Sequence, residues 1–306
     1  MIDTQSKSGS TAIVAIAAWF DLYAYGSEIE EACFDPADYR AAKPLRRLRA
    51  FQRIVRDNST TKFPTLVIND GAAVQTNIEE RRSDRAWLFI QRCWKLYQEA
   101  TEVDRSTGGL GLRAVIAVGL RAKGAGAGIV AQEKEHTAII DALVNGKIDR
   151  DEAVARARKV RRVFDIVPTL QANFAFTRAY EAESSGKRGG FPGPALYLDM
   201  MILKDEIPEW IDARPPKPWR PSKTSLSTSF IAVDKITSVD DATARASLRT
   251  GRELRALLSY PGGRRFCTVL HEGHSAGGGG VNLLKPRGAD LGSEVGVEDD
   301  LPPIAQ

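Results

Sequence analysis

The chain has 306 residues, of which 43% are hydrophobic and 27% are charged, a composition typical of globular proteins. Its formal net charge of +4 is too small to indicate a nucleic-acid-binding protein by itself. Three widely spaced cysteines exclude a disulfide framework and a zinc-binding pattern. The apolar run at 12–20 is shorter than the ~20 residues of a membrane span, and no signal-peptide cleavage site follows it. We therefore expect a soluble, cytoplasmic protein that does not bind membranes.

The first half of the chain alternates strand and helix patterns. The run AIVAIAAWF at 12–20 is apolar at every position, which predicts a strand covered on both faces. Apolar residues at helical spacing after Pro36 predict a helix over 36–57. Two apolar runs within 63–78 flank Asn69-Asp70-Gly71. An Asp-Gly pair between apolar runs predicts a hairpin, because its turn residues tolerate positive φ.

The following elements complete one domain. We predict helices over 79–102, 130–144, 150–163 and 167–184, and strands within 108–128 and 194–203. The opening βαββαβ order is that of the ferredoxin-like split motif. The sequence therefore predicts an α/β (α+β) fold, with a ferredoxin-like palm over residues 11–213 whose mixed, mainly antiparallel sheet is flanked by helices.

The composition changes at Arg214. The segment ARPPKPWRPSK is proline-rich and predicts a stiff, extended connector. A short strand at 230–233 and a helix over 239–258 follow, so we expect a small helical appendage over 214–272. From 273 to 306 the chain is glycine-rich with an acidic end, which is typical of disorder.

Two carboxylates mark a candidate site. Asp21 directly follows the first strand, and Asp70 lies in the predicted hairpin turn. In a βαββ arrangement these two positions meet at one edge of the sheet, where they could share one or two Mg²⁺ ions. Magnesium is usually bound by one or two carboxylates together with substrate phosphates. The alternative interpretation is structural: Asp70 as a turn former and Asp21 as a strand end.

Four segments carry a resemblance to a known family. AWFDLYAYGS, LVINDGAAV, GLRAVIAVGLRAKG and NFAFTRAYEAESSG occur in the order and approximate spacing of the motifs of class III nucleotidyl cyclases. None of these motifs is specific alone; their order and spacing make the case. The resemblance covers roughly residues 11–203.

The resemblance implies a reaction and a set of site residues. A ribose 3′-hydroxyl would attack the α-phosphate of the same nucleoside triphosphate, giving a 3′,5′-cyclic nucleotide and pyrophosphate in a head-to-tail homodimer with shared sites. Mg²⁺ or Mn²⁺ would be the cofactor. The implied metal ligands are Asp21, Asp70 and the backbone of Leu22; Asn173 would orient the ribose and Arg178 would bind phosphate; further candidate phosphate contacts are Arg121, Lys123 and Lys187.

The chain departs from the family pattern in three places. Asn69 stands where a glycine usually precedes the metal aspartate. Asn173 and Arg178 are five positions apart instead of four, which turns them roughly 140° from each other on a helix. No Lys and Asp pair that would select a purine is evident. The base therefore stays open, which leaves room for the pyrimidine cyclases of bacterial anti-phage Pycsar systems.

Two other functions compete with cyclisation. A degenerate cyclase fold would bind a nucleotide or a protein partner without turnover, a view that the substitution at Asn69 and the Asn173–Arg178 spacing favour. A nucleic-acid-binding palm is suggested by arginine clusters, but the small net charge argues against it. The glycine-rich stretch at 123–128 lacks the P-loop order and predicts a flexible loop.

Overall fold

The computed structural model describes residues 12–123, 131–160, 167–221 and 228–259. Within these ranges eight strands follow one another along the chain: β1 Ala12–Leu22, β2 Thr65–Ile68, β3 Gly71–Asn77, β4 Leu112–Ala122, β5 Ala195–Asp199, β6 Ile211–Ala213, β7 Lys217–Trp219 and β8 Thr228–Ile236. The same ranges hold eight α-helices: α1 Tyr25–Glu31, α2 Ala42–Asn58, α3 Asp84–Ser106, α4 Ala131–Val144, α5 Arg150–Lys159, α6 Phe174–Ser185, α7 Asp241–Ser247 and α8 Gly251–Ser259. In these parts of the chain, no helix is both long and apolar enough to cross a membrane.

All eight strands belong to one open sheet. Its order is β2-β3-β1-β4-β5-β8-β6, and β7 also pairs with β8. The β4–β5 pair is parallel, and the other pairs are antiparallel. β3 lies between β1 and β2, and β1 lies between β3 and β4, which is the interlocked arrangement of a βαββαβ core. The predicted fold class is confirmed.

The central strand β1 is buried on both faces, as its apolar run predicts. One face belongs to a large core that includes Phe20 of β1, Phe51 of α2 and Ile90 of α3. On the other face α6 lies over small residues of β1 and β4. A Cβ on Gly119 would lie 2.5 Å from the backbone nitrogen of Ala175, so the glycine is what allows α6 to approach the sheet.

The predicted hairpin is confirmed, but the glycine in it has a different purpose. β2 and β3 pair from Ile68–Gly71 to Thr65–Val74, with Asn69 and Asp70 as the turn. Asn69 takes the positive φ, at 52°. Gly71 lies against Trp19, where a Cβ would be 2.1 Å from the indole ring. Close packing on β1 therefore requires Gly71, while the asparagine supplies the unusual backbone angle.

The chain after Arg214 continues the same sheet. The short strand expected at 230–233 is the nine-residue β8, which pairs with β5 on one side and with β6 and β7 on the other. The described residues up to Ser259 belong to one compact unit, so the sheet does not break at 214. The helix predicted over 239–258 is divided into α7 and α8, and between them Leu248 bridges to Leu203. The tail at 273–306 lies outside the described residues.

A buried ion pair joins the helices that flank the end of β1. Arg47 of α2 is only 1% exposed, and its Nε donates to Asp104 Oδ1 of α3 at 2.8 Å. The same guanidinium donates to Glu28 Oε2 at 2.6 Å and to the carbonyl of Tyr23 at 3.0 Å. Arg47 thereby fixes the chain that leaves β1 two residues after Asp21.

We expect Arg47→Met to lower the free energy of unfolding by about 3–5 kcal/mol, because Asp104 would be left as an unpaired buried charge. Urea unfolding followed by circular dichroism measures this loss. The double variant Arg47→Met/Asp104→Leu leaves no such charge and should regain most of it. A double variant no more stable than the single one would show that the ion pair is not the cause.

Candidate functional site

Asp21 and Asp70 lie on neighbouring strand ends at one edge of the sheet. Asp21 is the register partner of Gly71, and the Leu22 N–H donates to the Asp70 carbonyl at 3.2 Å. β1 and β2 run in the same direction with β3 between them, so the end of β1 and the β2–β3 turn meet at the same edge. The structure brings Asp21, Leu22 and Asp70 together.

Two further charged residues flank Asp21 on the face that α6 covers. Asp21 points to the same face as Trp19, because side chains alternate along a strand. Its register partner on β4 is Arg113, whose Nε donates to Glu183 Oε1 at 2.6 Å. Glu183 is in the last turn of α6 and is only 4% exposed. The edge therefore holds three acidic side chains and the guanidinium of Arg113.

The carboxylates at this edge disfavour one another's charge. The pKa of Asp21 is raised to about 8, mainly by burial, then by the negative charges of Glu183 and Asp70, against a smaller lowering effect of Arg113. Burial likewise raises the pKa of Asp70 and of Glu183. Surplus negative charge in a partly buried site is relieved either by protonation or by a bound cation.

The donors at this edge suit a divalent cation. In the parts of the chain that the structure describes, no three His, Cys, Asp or Glu side chains are grouped to hold a metal ion by themselves. Two aspartates provide hard oxygen donors, and Mg²⁺ is commonly bound by one or two carboxylates, waters and substrate phosphates. The oxygen donors of Asp21 and Asp70 therefore fit a Mg²⁺ or Mn²⁺ ion.

Three of the predicted nucleotide contacts lie at the other end of β4. Arg121 is eight positions beyond Arg113 on this strand, roughly 25 Å away at about 3.3 Å per residue. It bridges to Asn173 and donates to Asn77 Oδ1 at 3.2 Å. Lys123 follows it and is exposed. Asn173 caps α6, its side chain accepting from the Phe176 N–H, and is 1% exposed. Within one chain, these residues therefore lie far from Asp21.

Arg178 is held inside the protein, although the sequence suggested a phosphate contact. Its guanidinium donates to the Val118 carbonyl at 2.6 Å and to Asp199 Oδ2 at 2.8 Å. Asp199 is fully buried and also accepts from the hydroxyl of Thr228. This network joins α6 to β4, β5 and β8, and the phosphate role of Arg178 stays a prediction.

Lys187 lies at the same end of α6 as the carboxylates. It follows Gly186, where a Cβ would lie 3.8 Å from the guanidinium of Arg113, and its side chain is exposed. Among the predicted phosphate contacts, Lys187 therefore lies at the end of α6 that carries Glu183, and its contact with phosphate stays a prediction.

Sequence reasoning missed Glu183 and Arg113. The signal for Arg113 was a charged residue inside the apolar run of β4, which invites a search for its partner. Glu183 had no such signal, because its proximity to Asp21 depends on α6 running antiparallel to β4 along its whole length.

The chain is similar to solved guanylyl cyclase structures at low sequence identity. No family model and no curated protein matches the chain. Among solved structures, the guanylyl cyclase Cya2 is 11% identical with a TM-score of 0.45, over 76% of this chain and 98% of that one. The non-canonical dimeric guanylyl cyclase domain of the RhoGC fusion protein from the aquatic fungus Blastocladiella emersonii is 9% identical with a TM-score of 0.37, over 74% and 98%.

We expect folded-state stability to fall as pH rises from 5 to 9, because Asp21 has a folded pKa of about 8 against 3.8 as a free side chain. Between the two pKa values the folded form keeps this proton and the unfolded form has lost it. The free energy of unfolding therefore falls by up to about 1.4 kcal/mol per pH unit, until the pH exceeds the folded pKa. Asp21→Asn should flatten this slope and be the more stable protein at pH 9. Urea unfolding at three pH values measures it; identical slopes for both proteins would rule the explanation out.

Proposed function

We propose that this protein is a metal-dependent nucleotidyl cyclase that converts a nucleoside triphosphate to a 3′,5′-cyclic nucleotide and pyrophosphate. The observation that supports it is the pairing of Asp21 and Asp70 on neighbouring strand ends, where burial, and then the charges of Glu183 and Asp70, raise the pKa of Asp21 to about 8. Such a site binds divalent cations in preference to monovalent ones and gains from the neutralisation of its charge.

The sheet edge that carries Asp21, Asp70 and Glu183, here called the carboxylate edge, would position the substrate. Asp21 and Asp70, with the main chain at Leu22, would hold Mg²⁺ or Mn²⁺, which when bound supplies charge neutralisation at the phosphates. Arg113 and Glu183 would keep the Asp21 side chain oriented toward the edge. Lys187 would contact a phosphate oxygen from the exposed side. Catalysis would consist of positioning and electrostatic stabilisation.

A complete site would need two copies of the chain. Arg121, Lys123 and Asn173 lie at the far end of β4 from Asp21, too distant to act on a nucleotide held there. A head-to-tail pair of chains would place the far end of one copy against the carboxylate edge of the other, forming two equivalent sites. The choice of base and a role in anti-phage signalling stay predictions from the sequence resemblance.

A second candidate function is nucleotide or partner binding without turnover. The specific observation that favours it is the engagement of the two residues expected to orient ribose and phosphate. Asn173 caps its helix, and Arg178 is ion-paired to Asp199 inside the protein. If neither side chain can contact the nucleotide in a dimer, the carboxylate edge would bind a metal-nucleotide complex and leave the nucleotide intact.

Incubation with each of the four ribonucleoside triphosphates and Mn²⁺ or Mg²⁺ should release pyrophosphate and a cyclic nucleotide from at least one of them. Asp21→Ala and Asp70→Ala should each lower this rate at least about 100-fold, the effect of removing a group that stabilises transition-state charge. Asp57→Ala, at an exposed aspartate outside the edge, is the matched control and should keep full activity. Metal-dependent nucleotide binding without product from any nucleotide would favour the second function.

Mixing two inactive variants tests whether the site is shared. Asp21→Ala damages one half of each proposed site, and the double variant Arg121→Ala/Lys123→Ala damages the other half. In an equal mixture half of the dimers are mixed and each has one intact site, so activity should return to roughly a quarter of wild type. A mixture as inactive as its components would show that both halves act within one chain.

A further inference from the structure

A second concave site lies away from the carboxylate edge. It is a cavity of about 510 Å³ between the chain that enters β2, the last residues of β3 and the first half of α3. Pockets of this volume are in the range that holds small organic ligands. The β3 residues that line it, 75–77, are at the opposite end of the strand from Asp70.

The cavity is cationic. Lys62, Arg85 and Arg92 line it, and among its described lining residues there is no Asp or Glu. Arg85 is paired with Glu79, while Arg92 donates to a neutral group, the hydroxyl of Thr60, at 3.0 Å. Lys62 is exposed. Three cations with one paired acidic neighbour leave a net positive charge that attracts an anion, and phosphate is one of the anions whose geometry the arginine guanidinium matches.

The cavity also has an apolar wall. Phe63 and Phe89 pack with ring centroids 5.8 Å apart, and Leu88 beside them is 51% exposed. Arg92 lies over the Phe63 ring at 5.7 Å, which holds the cation next to the apolar surface. Arg85, Leu88, Phe89 and Arg92 recur at helical spacing, so one face of α3 presents both the charges and the apolar surface. A ligand with a charged end and a flat apolar body would contact both.

The third feature is an open strand edge. The β2–β3 ladder ends at Thr65–Val74, and Pro64, which would come next, has no N–H to donate. The Ile78 N–H donates to the Val14 carbonyl of β1, so by alternation the main-chain groups of Gln75 and Asn77 point away from β1. These groups supply donors and acceptors of the kind that pair with the edge of a nucleobase.

We propose that this cavity binds an organic phosphate, with a nucleoside monophosphate as the ligand that satisfies all three features. The phosphate would lie between Lys62 and Arg92, the base would pack against the exposed side chain of Leu88, and its polar edge would pair with the β3 main chain. This site does not depend on Asp21 or Asp70 and needs no metal ion. It therefore stands or falls separately from the proposed catalytic activity.

Calorimetric titration in EDTA with AMP, CMP, adenosine and inorganic phosphate tests this proposal. EDTA removes the divalent cation that the carboxylate edge would require. We expect AMP or CMP to bind with a dissociation constant below about 1 mM, and adenosine and phosphate each to bind at least about tenfold more weakly. Arg92→Glu and Lys62→Glu should each weaken nucleotide binding at least about tenfold, because each replaces an attractive charge by a repulsive one.

Two control variants test whether the nucleotide binds in this cavity. Arg56→Glu makes the same charge change on α2 at an exposed residue outside the cavity, and Asp21→Asn alters the carboxylate edge; both should bind the nucleotide as wild type does. Lys62 is exposed, so Lys62→Glu decides the matter if Arg92→Glu does not fold. Any of three results would overturn the proposal. The nucleotide could bind no more tightly than phosphate, Lys62→Glu could bind it as tightly as wild type, or Asp21→Asn could fail to bind it.

Discussion

The structure places a carboxylate, Asp21, where its charge is costly. Nine apolar residues of β1 lead directly to it, and burial together with two negative neighbours raises its pKa to about 8. Arg113 is its register partner on β4, and that guanidinium forms an ion pair with Glu183. A protein that keeps such an arrangement on a rigid sheet holds a site whose charge a divalent cation would balance.

The length of β4 keeps two groups of predicted site residues apart within a single chain. β4 and α6 run antiparallel, with Asn173 and Arg121 at one end and Glu183 and Arg113 at the other. Along this axis the buried Arg178–Asp199 pair and the small residues under α6 fix the helix on the sheet. The two ends cannot approach each other within one copy, which is why the proposed activity requires a second one.

The local parts of this fold could be predicted from the sequence, and the non-local parts could not. The apolar run of β1, the Asn69-Asp70 turn and the helical spacing of α2 and α3 each depend on neighbouring residues, and each element was predicted. The two helices begin later than predicted, at Ala42 instead of 36 and at Asp84 instead of 79. Gly71 is required because it packs against Trp19, which is far from it in the chain. Arg178 forms its ion pair with Asp199, 21 positions later. β8 joins a sheet whose first strand lies more than 200 residues earlier. Such pairings leave no periodic signal in the chain. The proline-rich segment after Arg214 was therefore interpreted as a connector, although β7 and β8 continue the sheet there.

The most direct measurement is the number of protons released when Mn²⁺ binds, obtained by calorimetry at pH 7 in two buffers of different ionisation enthalpy. If Asp21 is protonated in the free protein and ligates the ion, roughly one proton should leave per Mn²⁺ bound. Asp21→Asn should release none, and Asp57→Asn should behave as wild type. Mn²⁺ binding without proton release, or with the same release from Asp21→Asn, would contradict the account.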